Sequence, residues 1–464
     1  MSTTTAPARV LSINPATGEV VAEHPVDTAS RVEEALHRAH AAQRSWRTAS
    51  LETRADGLRA IARELRASRQ EAATLMTVEM GKPIRQALAE VDKCVWVCEH
   101  YADHGAATLA AEPVATEWQD SYVQFEPLGV VLAIMPWNYP FWQVMRAAVP
   151  AFLAGNTVVL KHASNVTGSA LLLAGIVARA GVPEGLLETV VLPSSAVEPL
   201  IGDGRIAAVT LTGSDAVGVR VATICAQHLK PSVLELGGSD PFVVLEDADV
   251  ADAAATAVNA RFQNVGQSCI AGKRFIVVDA VAEEFEARFA EGARALRVGD
   301  PLNEATDLGP MARTDLRDEL ADQVRRAVSA GGRLVCGGEA GDGPGAFYAA
   351  TIVADVRPGT PLCDEETFGP AAALIRVPDA DEAIRVANDS PYGLSSSLWT
   401  RDLDRARRLA HGIQAGAVFV NTMSASDPRM PFGGIKRSGW GRELGTFGLR
   451  EFVNVQAVTI APKA

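Results

Sequence analysis

The sequence predicts an α/β protein with two doubly wound, Rossmann-like domains and a small additional β element. From Gly129 onward, short apolar runs with strand character alternate with helical segments, which is typical of a parallel sheet covered by helices on both faces. A second series of the same kind begins at Pro241 and indicates a second α/β domain. Two extended segments, 115–125 and 450–460, fit neither series.

The composition limits the classes of function. Of 464 residues, 48% are hydrophobic and 21% are charged, which is the balance of a packed globular protein. The formal net charge is −13 and no segment is rich in Lys and Arg, which argues against a nucleic-acid partner. The first ten residues have no leader pattern, and no apolar run reaches the roughly 18 residues that a membrane span needs. We therefore expect a cytoplasmic protein without a membrane partner.

The elements divide the chain into three parts. Residues 30–107 show a helical pattern interrupted at Gly81 and Pro83. With the first α/β series they form the predicted cofactor-binding domain, 1–113 and 129–238. Residues 239–436 form the predicted catalytic domain. Residues 114–128 and 437–464 are predicted to be an oligomerisation element and C-terminal tail, because exposed strands often pair with another subunit. We expect a homodimer or homotetramer.

Among the six cysteines, Cys269 has a special setting. The cysteines form no CxxC pair and no zinc-binding spacing, so we expect no metal and no disulfide framework. Cys269 lies in the segment NVGQSCIAGKR, between a helix predicted over 252–263 and an apolar strand. A cysteine taken alone is more often a buried structural thiol, but a thiolate in such a loop is also a good nucleophile.

Three further segments place polar groups where strands end. Glu235 ends the last strand of the first series and precedes two glycines, a position in the ligand crevice of open α/β sheets where a partly buried carboxylate suits a general base. Asn138 lies in PWNYP, between two prolines that restrict the turn, and its amide could donate to an oxyanion. Gly213 and Ser214 precede a helix directly after a strand, which favours anion binding. No GxGxxG or P-loop pattern is present.

These residues resemble the motifs of the aldehyde dehydrogenase family. The similar segments are PWNYP with Asn138, LKHAS with Lys161, LTGSDAVG, ELGG with Glu235, GQSC with Cys269, EETFGP and PFGGIKRSG. They occur in the family's order and cover essentially the whole chain. The segments LKHASNV, ELGGSDPFVVL and NVGQSCIAGKRF are similar to the short succinate-semialdehyde dehydrogenase branch.

The resemblance implies roles for the three candidate catalytic residues. Cys269 would attack the aldehyde carbon, while the Asn138 side chain and the Cys269 backbone N–H would hold the oxyanion. Glu235 would activate the water that hydrolyses the resulting thioester.

The resemblance also implies a nicotinamide cofactor. Lys161 would bind the ribose of the adenosine half, Ser214 the pyrophosphate and Glu366 the nicotinamide ribose, with Phe368 against the nicotinamide ring. Trp137, Gly213 and Leu236 are expected in the same crevice, although core packing explains Trp137 equally well.

Four positions depart from the family pattern. Leu211 replaces the usual Phe, Ser239 replaces a Lys, and Gln263 stands where longer relatives tend to carry an Arg. Ser164 occupies a position where members that prefer NAD commonly have Glu. Because a carboxylate there would repel a 2′-phosphate, we expect NADP to be used at least as well as NAD.

The substrate is predicted from fewer residues. An aldehyde with a distal carboxylate needs a cation or several donors at the far end of its tunnel. Arg146 and Ser426 are the candidates, with Arg429 a weaker third, although Arg146 could instead be a surface charge or part of a salt bridge. Succinate semialdehyde is the expected substrate. Another aldehyde, such as glutarate semialdehyde or an aromatic or aliphatic aldehyde, remains an alternative, as does a thioester-forming hydrolase or a catalytically silent relative.

Overall fold

The computed structural model describes residues 8–462. The helices are α1 (Ala29–Trp46), α2 (Leu51–Ala67), α3 (Arg69–Met80), α4 (Ile84–Thr108), α5 (Trp142–Ala154), α6 (Thr167–Arg179), α7 (Val197–Gly202), α8 (Asp215–Gln227), α9 (Val250–Phe262), α10 (Asp279–Arg294), α11 (Thr314–Ser329), α12 (Pro361–Asp364), α13 (Ala380–Asn388), α14 (Leu403–Ala410) and α15 (Gly445–Arg450). The strands are β1 (Arg9–Ile13), β2 (Val20–Pro25), β3 (Glu112–Pro113), β4 (Asp120–Pro127), β5 (Val130–Met135), β6 (Thr157–His162), β7 (Leu187–Thr189), β8 (Ile206–Thr212), β9 (Ser232–Glu235), β10 (Asp240–Val244), β11 (Gly272–Val278), β12 (Arg333–Cys336), β13 (Thr351–Ala354), β14 (Ala371–Val377), β15 (Tyr392–Gly393), β16 (Ser397–Trp399), β17 (Phe419–Val420), β18 (Ile435–Lys436), β19 (Gly439–Trp440) and β20 (Val453–Ile460).

The first large sheet has the strand order β19-β9-β8-β5-β6-β7. All of its strands are parallel except β19, which runs antiparallel to β9. Successive residues of a strand point to opposite faces, and both faces of β5 are apolar. Val130 and Leu132 pack with α1, α7 and α8, while Val131 and Ala133 pack with α2 to α6. Burial on both faces explains the continuous apolar run that predicted this strand.

The second large sheet has the strand order β12-β13-β14-β11-β10-β16-β17, and only β12 is antiparallel. Its core contains an aromatic cluster in which Phe242 stacks on Trp399 at 5.5 Å and Phe275 lies 4.6 Å from Phe289 between ring centroids. The two sheets confirm the predicted α/β fold with two doubly wound domains.

The two extended segments form a third, three-stranded antiparallel sheet with the order β20-β4-β3. β4 and β20 pair in unbroken register from Val453 opposite Pro127 to Ile460 opposite Asp120. The strands start later than the sequence indicated, because residues 115–119 form a turn region and Arg450 ends helix α15.

The C-terminal segment 437–464 is divided among several parts of the molecule. β19 joins the first large sheet, α15 packs on α4 and α5, and β20 belongs to the third sheet. Residues 1–7 and 463–464 lie outside the described residues. They include most of the first ten residues, where no leader pattern is expected, and the two outer ends of the predicted domain ranges.

Within residues 8–462, no helix combines the length and the apolar character needed to cross a bilayer. All six cysteines lie in this range as free thiols. No cluster of three or more His, Cys, Asp or Glu suited to a metal ion occurs among the same residues.

Candidate active site

The carboxyl edge of the first sheet brings together four residues that the sequence singled out. Glu235 ends β9, Ser214 follows the end of β8, Asn138 follows β5, and Lys161 lies near the end of β6. These strands are neighbours in the order β9-β8-β5-β6, and adjacent strands lie about 4.8 Å apart. The topology therefore lines up distant parts of the sequence along one edge.

Two cavities meet at Cys269. The larger has a volume of about 520 Å³ and the smaller about 220 Å³, and both are lined by Cys269 and Gln143. The larger cavity is otherwise lined by Pro136, Trp137, Asn138, Thr212, Gly213, Ser214, Asp215, Leu236, Gly237, Leu316, Glu319, Leu320, Gln323, Asp364, Glu365, Glu366, Phe368 and Tyr392. The smaller is otherwise lined by Gln86, Ala89, Glu90, Lys93, Tyr139, Trp142, Arg146, Gln263, Ser268, Ile270, Met423, Ser424, Ala425, Ser426 and Phe432.

The loop that carries Cys269 has an unusual backbone. Asn264 and Val265 have φ values of 52° and 58°, a left-handed conformation that is costly for a β-branched residue. They are followed by Gly266 with a φ of 69°. The backbone N–H of Cys269 has no hydrogen-bond acceptor among residues 8–462. This amide is free to donate to a ligand.

Burial controls the protonation of Cys269. It raises the pKa of the thiol to about 12, while Arg146 and Lys273 act in the opposite direction. The sulfur is therefore a thiol at neutral pH and needs a base to become a thiolate.

Asn138 is held by the Cys269 loop. Its Nδ2 donates to the Gln267 carbonyl at 3.0 Å, and its own carbonyl accepts from Asn264 Nδ2 at 2.9 Å. An amide NH₂ group has two hydrogens, so one N–H of Asn138 remains free after the bond to Gln267. The structure thus brings a fixed amide donor and the nucleophile to the wall of the same cavity.

Glu235 is buried, and neither of its carboxyl oxygens has a hydrogen-bond partner among the described residues. Burial raises the pKa of Glu235 well above its usual value, and the nearby Glu443 raises it further. The side chain lines neither cavity. Its Oε1 lies against Gly433, where an added Cβ would approach within 2.6 Å.

Lys273 is a completely buried cation that the sequence analysis did not assign. Its Nζ donates to the Cys269 carbonyl at 3.0 Å, to Glu366 Oε1 at 2.7 Å and to the Gly238 carbonyl. An ammonium has three hydrogens, so every donor is in use. Glu366 also accepts from the Gly238 N–H at 3.0 Å. Lys273 thereby connects the backbone at the nucleophile to a carboxylate in the larger cavity.

The predicted cofactor residues divide into two groups. Trp137, Gly213, Ser214, Leu236, Glu366 and Phe368 all line the larger cavity. Ser214 is the N-cap of α8 and its side chain makes no capping bond, so the hydroxyl and the positive end of the helix face this space unused. The Trp137 and Phe368 rings meet edge to face at 5.7 Å. Lys161 and the exposed Ser164 line neither of the two cavities and lie further along the sheet edge.

The predicted substrate residues differ in their surroundings. Arg146 lines the smaller cavity but is buried in an ion pair with Glu443. Ser426 lines the same cavity and its Oγ contacts Lys93 Nζ at 2.7 Å. Arg429 is exposed, bonds Asp427 at 2.6 Å and does not line the cavity. Gln263 does line it.

Comparisons with known proteins identify the family of this chain. The model of the aldehyde dehydrogenase family matches residues 2–458. The chain belongs to the aldehyde dehydrogenase family. Succinate semialdehyde dehydrogenase [NAD(P)+] Sad of Escherichia coli strain K12 is 49% identical over 456 residues, covering 98% of this chain and 99% of the relative.

Two further proteins extend the comparison. A probable succinate-semialdehyde dehydrogenase [NADP(+)] of Synechocystis is 49% identical over 97% of this chain and 100% of that protein. The crystal structure of a Streptococcus pyogenes succinic semialdehyde dehydrogenase in complex with NADP+ has a TM-score of 0.95 and 36% identity, covering 98% of this chain and 100% of the other.

The sequence analysis assigned no role to two lysines of this aldehyde dehydrogenase, Lys93 and Lys273. For each of them, the sequence contains a feature that could have indicated one. Lys273 lies in a strand that is otherwise apolar and buried, where a charge is rarely tolerated without a partner. Gln86, Glu90 and Lys93 follow a helical spacing of four and three on α4, so they share one face. That polar face borders the smaller cavity.

Proposed function

We propose that this aldehyde dehydrogenase oxidises succinate semialdehyde to succinate with NADP, and that NAD is a possible alternative cofactor. The observation that carries the proposal is the position of Cys269 between two cavities. One has a volume of about 520 Å³ and a helix N-terminus suited to the pyrophosphate of a dinucleotide, and the other contains cationic side chains. The relatives from E. coli and Synechocystis are named for the same substrate, which supports the proposal.

The residues present fit a nicotinamide cofactor in the larger cavity. Ser214 and the first turn of α8 would hold the pyrophosphate, Glu366 would accept from the nicotinamide ribose, and Phe368 would pack against the ring. When bound, the cofactor accepts the hydride released from the aldehyde carbon. Lys161 and Ser164 would bind the adenosine ribose and its 2′-phosphate.

The chain's own groups carry the remaining steps. Cys269 gives its proton to solvent water, and its sulfur bonds to the aldehyde carbon as the carbonyl π bond breaks. The negative charge that develops on oxygen is held by the free N–H of Asn138 and the Cys269 amide. After hydride loss, a thioester joins the acyl group to Cys269. Glu235 then takes a proton from water, and the resulting hydroxide displaces the sulfur. Because Glu235 lines neither cavity, this role requires its side chain to rotate toward Cys269.

A survey of kcat/KM with both nicotinamide cofactors tests the proposal. The panel contains succinate semialdehyde, glutarate semialdehyde, butyraldehyde and benzaldehyde, and the growth of reduced-nicotinamide absorbance reports oxidation. We expect the highest kcat/KM for succinate semialdehyde with NADP. A higher kcat/KM for a neutral aldehyde would contradict the proposed substrate. Ester hydrolysis without reduction of the cofactor would contradict the proposed class of reaction.

We further propose that the third sheet mediates assembly into a homodimer or homotetramer. β20 is an edge strand with exposed Val455 and Ile460 side chains, and an exposed edge is a template for pairing with another chain. Sedimentation at micromolar concentration should show a dimer or tetramer. A monomer there would contradict this role.

A further inference from the structure

Lys93 presents an ammonium group to the smaller cavity. The residue lies on α4 and its Nζ donates to Ser426 Oγ at 2.7 Å, while it also lies 4.5 Å from the centroid of the Trp142 ring. The aromatic face stabilises a cation, but it does not cancel the charge.

The other charged groups at this cavity are already paired. Glu90 binds Lys82, and its second oxygen accepts two backbone N–H groups at 2.9 Å each. Arg146 is paired with Glu443. Lys93 has no carboxylate within 4.0 Å among residues 8–462. It is therefore the cavity's uncompensated charge, although Arg146 was the cation expected from the sequence.

Ser426 adds an oriented donor beside Lys93. Its Oγ lies 2.7 Å from Lys93 Nζ and 3.1 Å from Trp142 Nε1, and both of these nitrogens are donors. A hydroxyl has two acceptor sites and one hydrogen. With both acceptor sites occupied, the hydrogen of Ser426 points elsewhere and is available to an acceptor in the cavity.

We propose that Lys93, assisted by the Ser426 hydroxyl, binds the distal carboxylate of the aldehyde substrate and sets the preference for semialdehydes that carry an acid. A carboxylate placed there accepts a charge-assisted hydrogen bond from the ammonium and a second bond from the hydroxyl. Cys269 lines the same cavity, so the aldehyde carbon of the anchored substrate faces the sulfur. This inference rests on the proposed function, because it assumes a substrate with a carboxylate.

The anchor makes substrate preference depend on pH. Burial, together with the nearby Arg146, lowers the pKa of Lys93 to about 8, although Cys94, Glu90 and Asp427 act in the opposite direction. As the pH rises through 8, the ammonium loses its proton and its charge. We therefore expect the ratio of kcat/KM for succinate semialdehyde to that for butyraldehyde to fall above pH 8. The ratio cancels the ionisation of Cys269 and Glu235, which both substrates share.

The test compares Lys93→Met with wild type on succinate semialdehyde and on butyraldehyde. Removing one member of a buried charge pair costs at least about 30-fold in affinity. We expect kcat/KM for succinate semialdehyde to fall by about that factor, mainly through KM, with a loss below about threefold for butyraldehyde. Lys93→Arg should keep part of the preference and should flatten the pH dependence of the ratio, because an arginine stays charged.

Two further variants make the result specific. Arg429→Met removes a positive charge from the surface pair with Asp427 and should change the substrate ratio less than about twofold, since exposed charges are screened. Ser426→Ala should lower kcat/KM for succinate semialdehyde by about tenfold and provides a second reading should Lys93→Met fold poorly.

The outcomes separate this inference from the proposed function. If wild type prefers butyraldehyde, the proposed function is wrong, whatever the Lys93 variant shows. If wild type prefers succinate semialdehyde and Lys93→Met lowers kcat/KM equally for both substrates, the proposed function stands and Lys93 does not bind the carboxylate. A loss of kcat/KM confined to succinate semialdehyde supports both the proposed function and the role of Lys93.

Discussion

The two cavities that meet at Cys269 differ in the charged side chains that line them. In the larger one, three of the five lining carboxylates are paired with cations: Glu366 with Lys273, Glu365 with Arg326 and Asp215 with Arg437. In the smaller one, the ammonium of Lys93 donates to the Ser426 hydroxyl and has no carboxylate partner in the part of the chain that the structure describes. A phosphate-bearing ligand in the larger cavity therefore meets backbone N–H groups and a helix dipole. A carboxylate in the smaller cavity meets an uncompensated charge.

This difference in charge fits the ligands proposed for the two cavities, a cofactor in the larger and a small substrate in the smaller. A cofactor must enter and leave in every cycle, and binding through a helix terminus and hydroxyls spreads its affinity over many weak contacts. A small substrate offers few atoms, so one strong charged contact can determine its preference. Substitutions on either side, and at the shared centre, test whether the division holds.

Glu235→Gln should have the largest effect, because it removes the base proposed to act at Cys269, where the two cavities meet. General-base catalysis contributes about 10²- to 10⁴-fold, so we expect kcat to fall by about 10³-fold on every aldehyde. Rapid mixing with NADP+ and aldehyde should still give close to one reduced nicotinamide per site, because the thioester forms and then persists. A burst as slow as turnover would show that Glu235 acts before hydride loss.

The pH profile checks the same centre. Burial raises the pKa of Glu235 well above its usual value and that of Cys269 to about 12, so the deprotonated, reactive form of each group becomes more populated as the pH rises. With butyraldehyde as substrate, wild-type kcat/KM should therefore increase from pH 6 to 9. A decrease across this range would contradict the proposed roles of the two groups.

Arg146→Met should have the next largest effect. Unlike Lys93→Met, it should affect the turnover of charged and neutral aldehydes alike. Breaking the buried pair with Glu443 leaves an uncompensated buried acid and costs about 3 kcal/mol of stability. The unpaired Glu443 lies near Glu235, so turnover of charged and neutral aldehydes should fall together. Thermal unfolding and kinetics on both substrates measure this. A loss limited to succinate semialdehyde would return the anchor role to Arg146.

The sequence predicted the elements of this site better than their contacts. Asn138 and Glu235 could be singled out because each follows or ends an apolar run, and Cys269 because it lies in a loop just before one. The partner of Arg146 could not be predicted, since Glu443 lies almost 300 residues away by the numbering and the C-terminal segment was assigned to assembly. The return of β19 to the first sheet and the backbone bridge between Phe432 and Glu443 hold Glu443 in the core. Long-range pairing of this kind leaves no local pattern.

Lys273→Met should disturb the cofactor side. Its loss leaves the Gly238 and Cys269 carbonyls and Glu366 without their shared donor, and each unsatisfied buried group costs about 1–3 kcal/mol. We expect KM for NADP+ to rise about 30-fold, with a smaller fall in kcat. Lys436→Met is the matched control, because the exposed Lys436 also bonds two backbone carbonyls, those of Asn388 and Ser390. An unchanged KM for NADP+ in Lys273→Met would limit Lys273 to a structural role.

Ser164→Glu should have the smallest effect and should act only on the choice between cofactors. The residue is exposed in the turn that follows β6, so the fold should tolerate the change. A carboxylate at this position repels a 2′-phosphate, and the ratio of kcat/KM for NADP to that for NAD should fall by about tenfold in low salt, and less in high salt as screening increases. Ser164→Gln has the same size without the charge and should keep the wild-type ratio. If the two variants shift the ratio equally, size rather than charge sets the preference, and if neither shifts it, the adenosine ribose binds elsewhere.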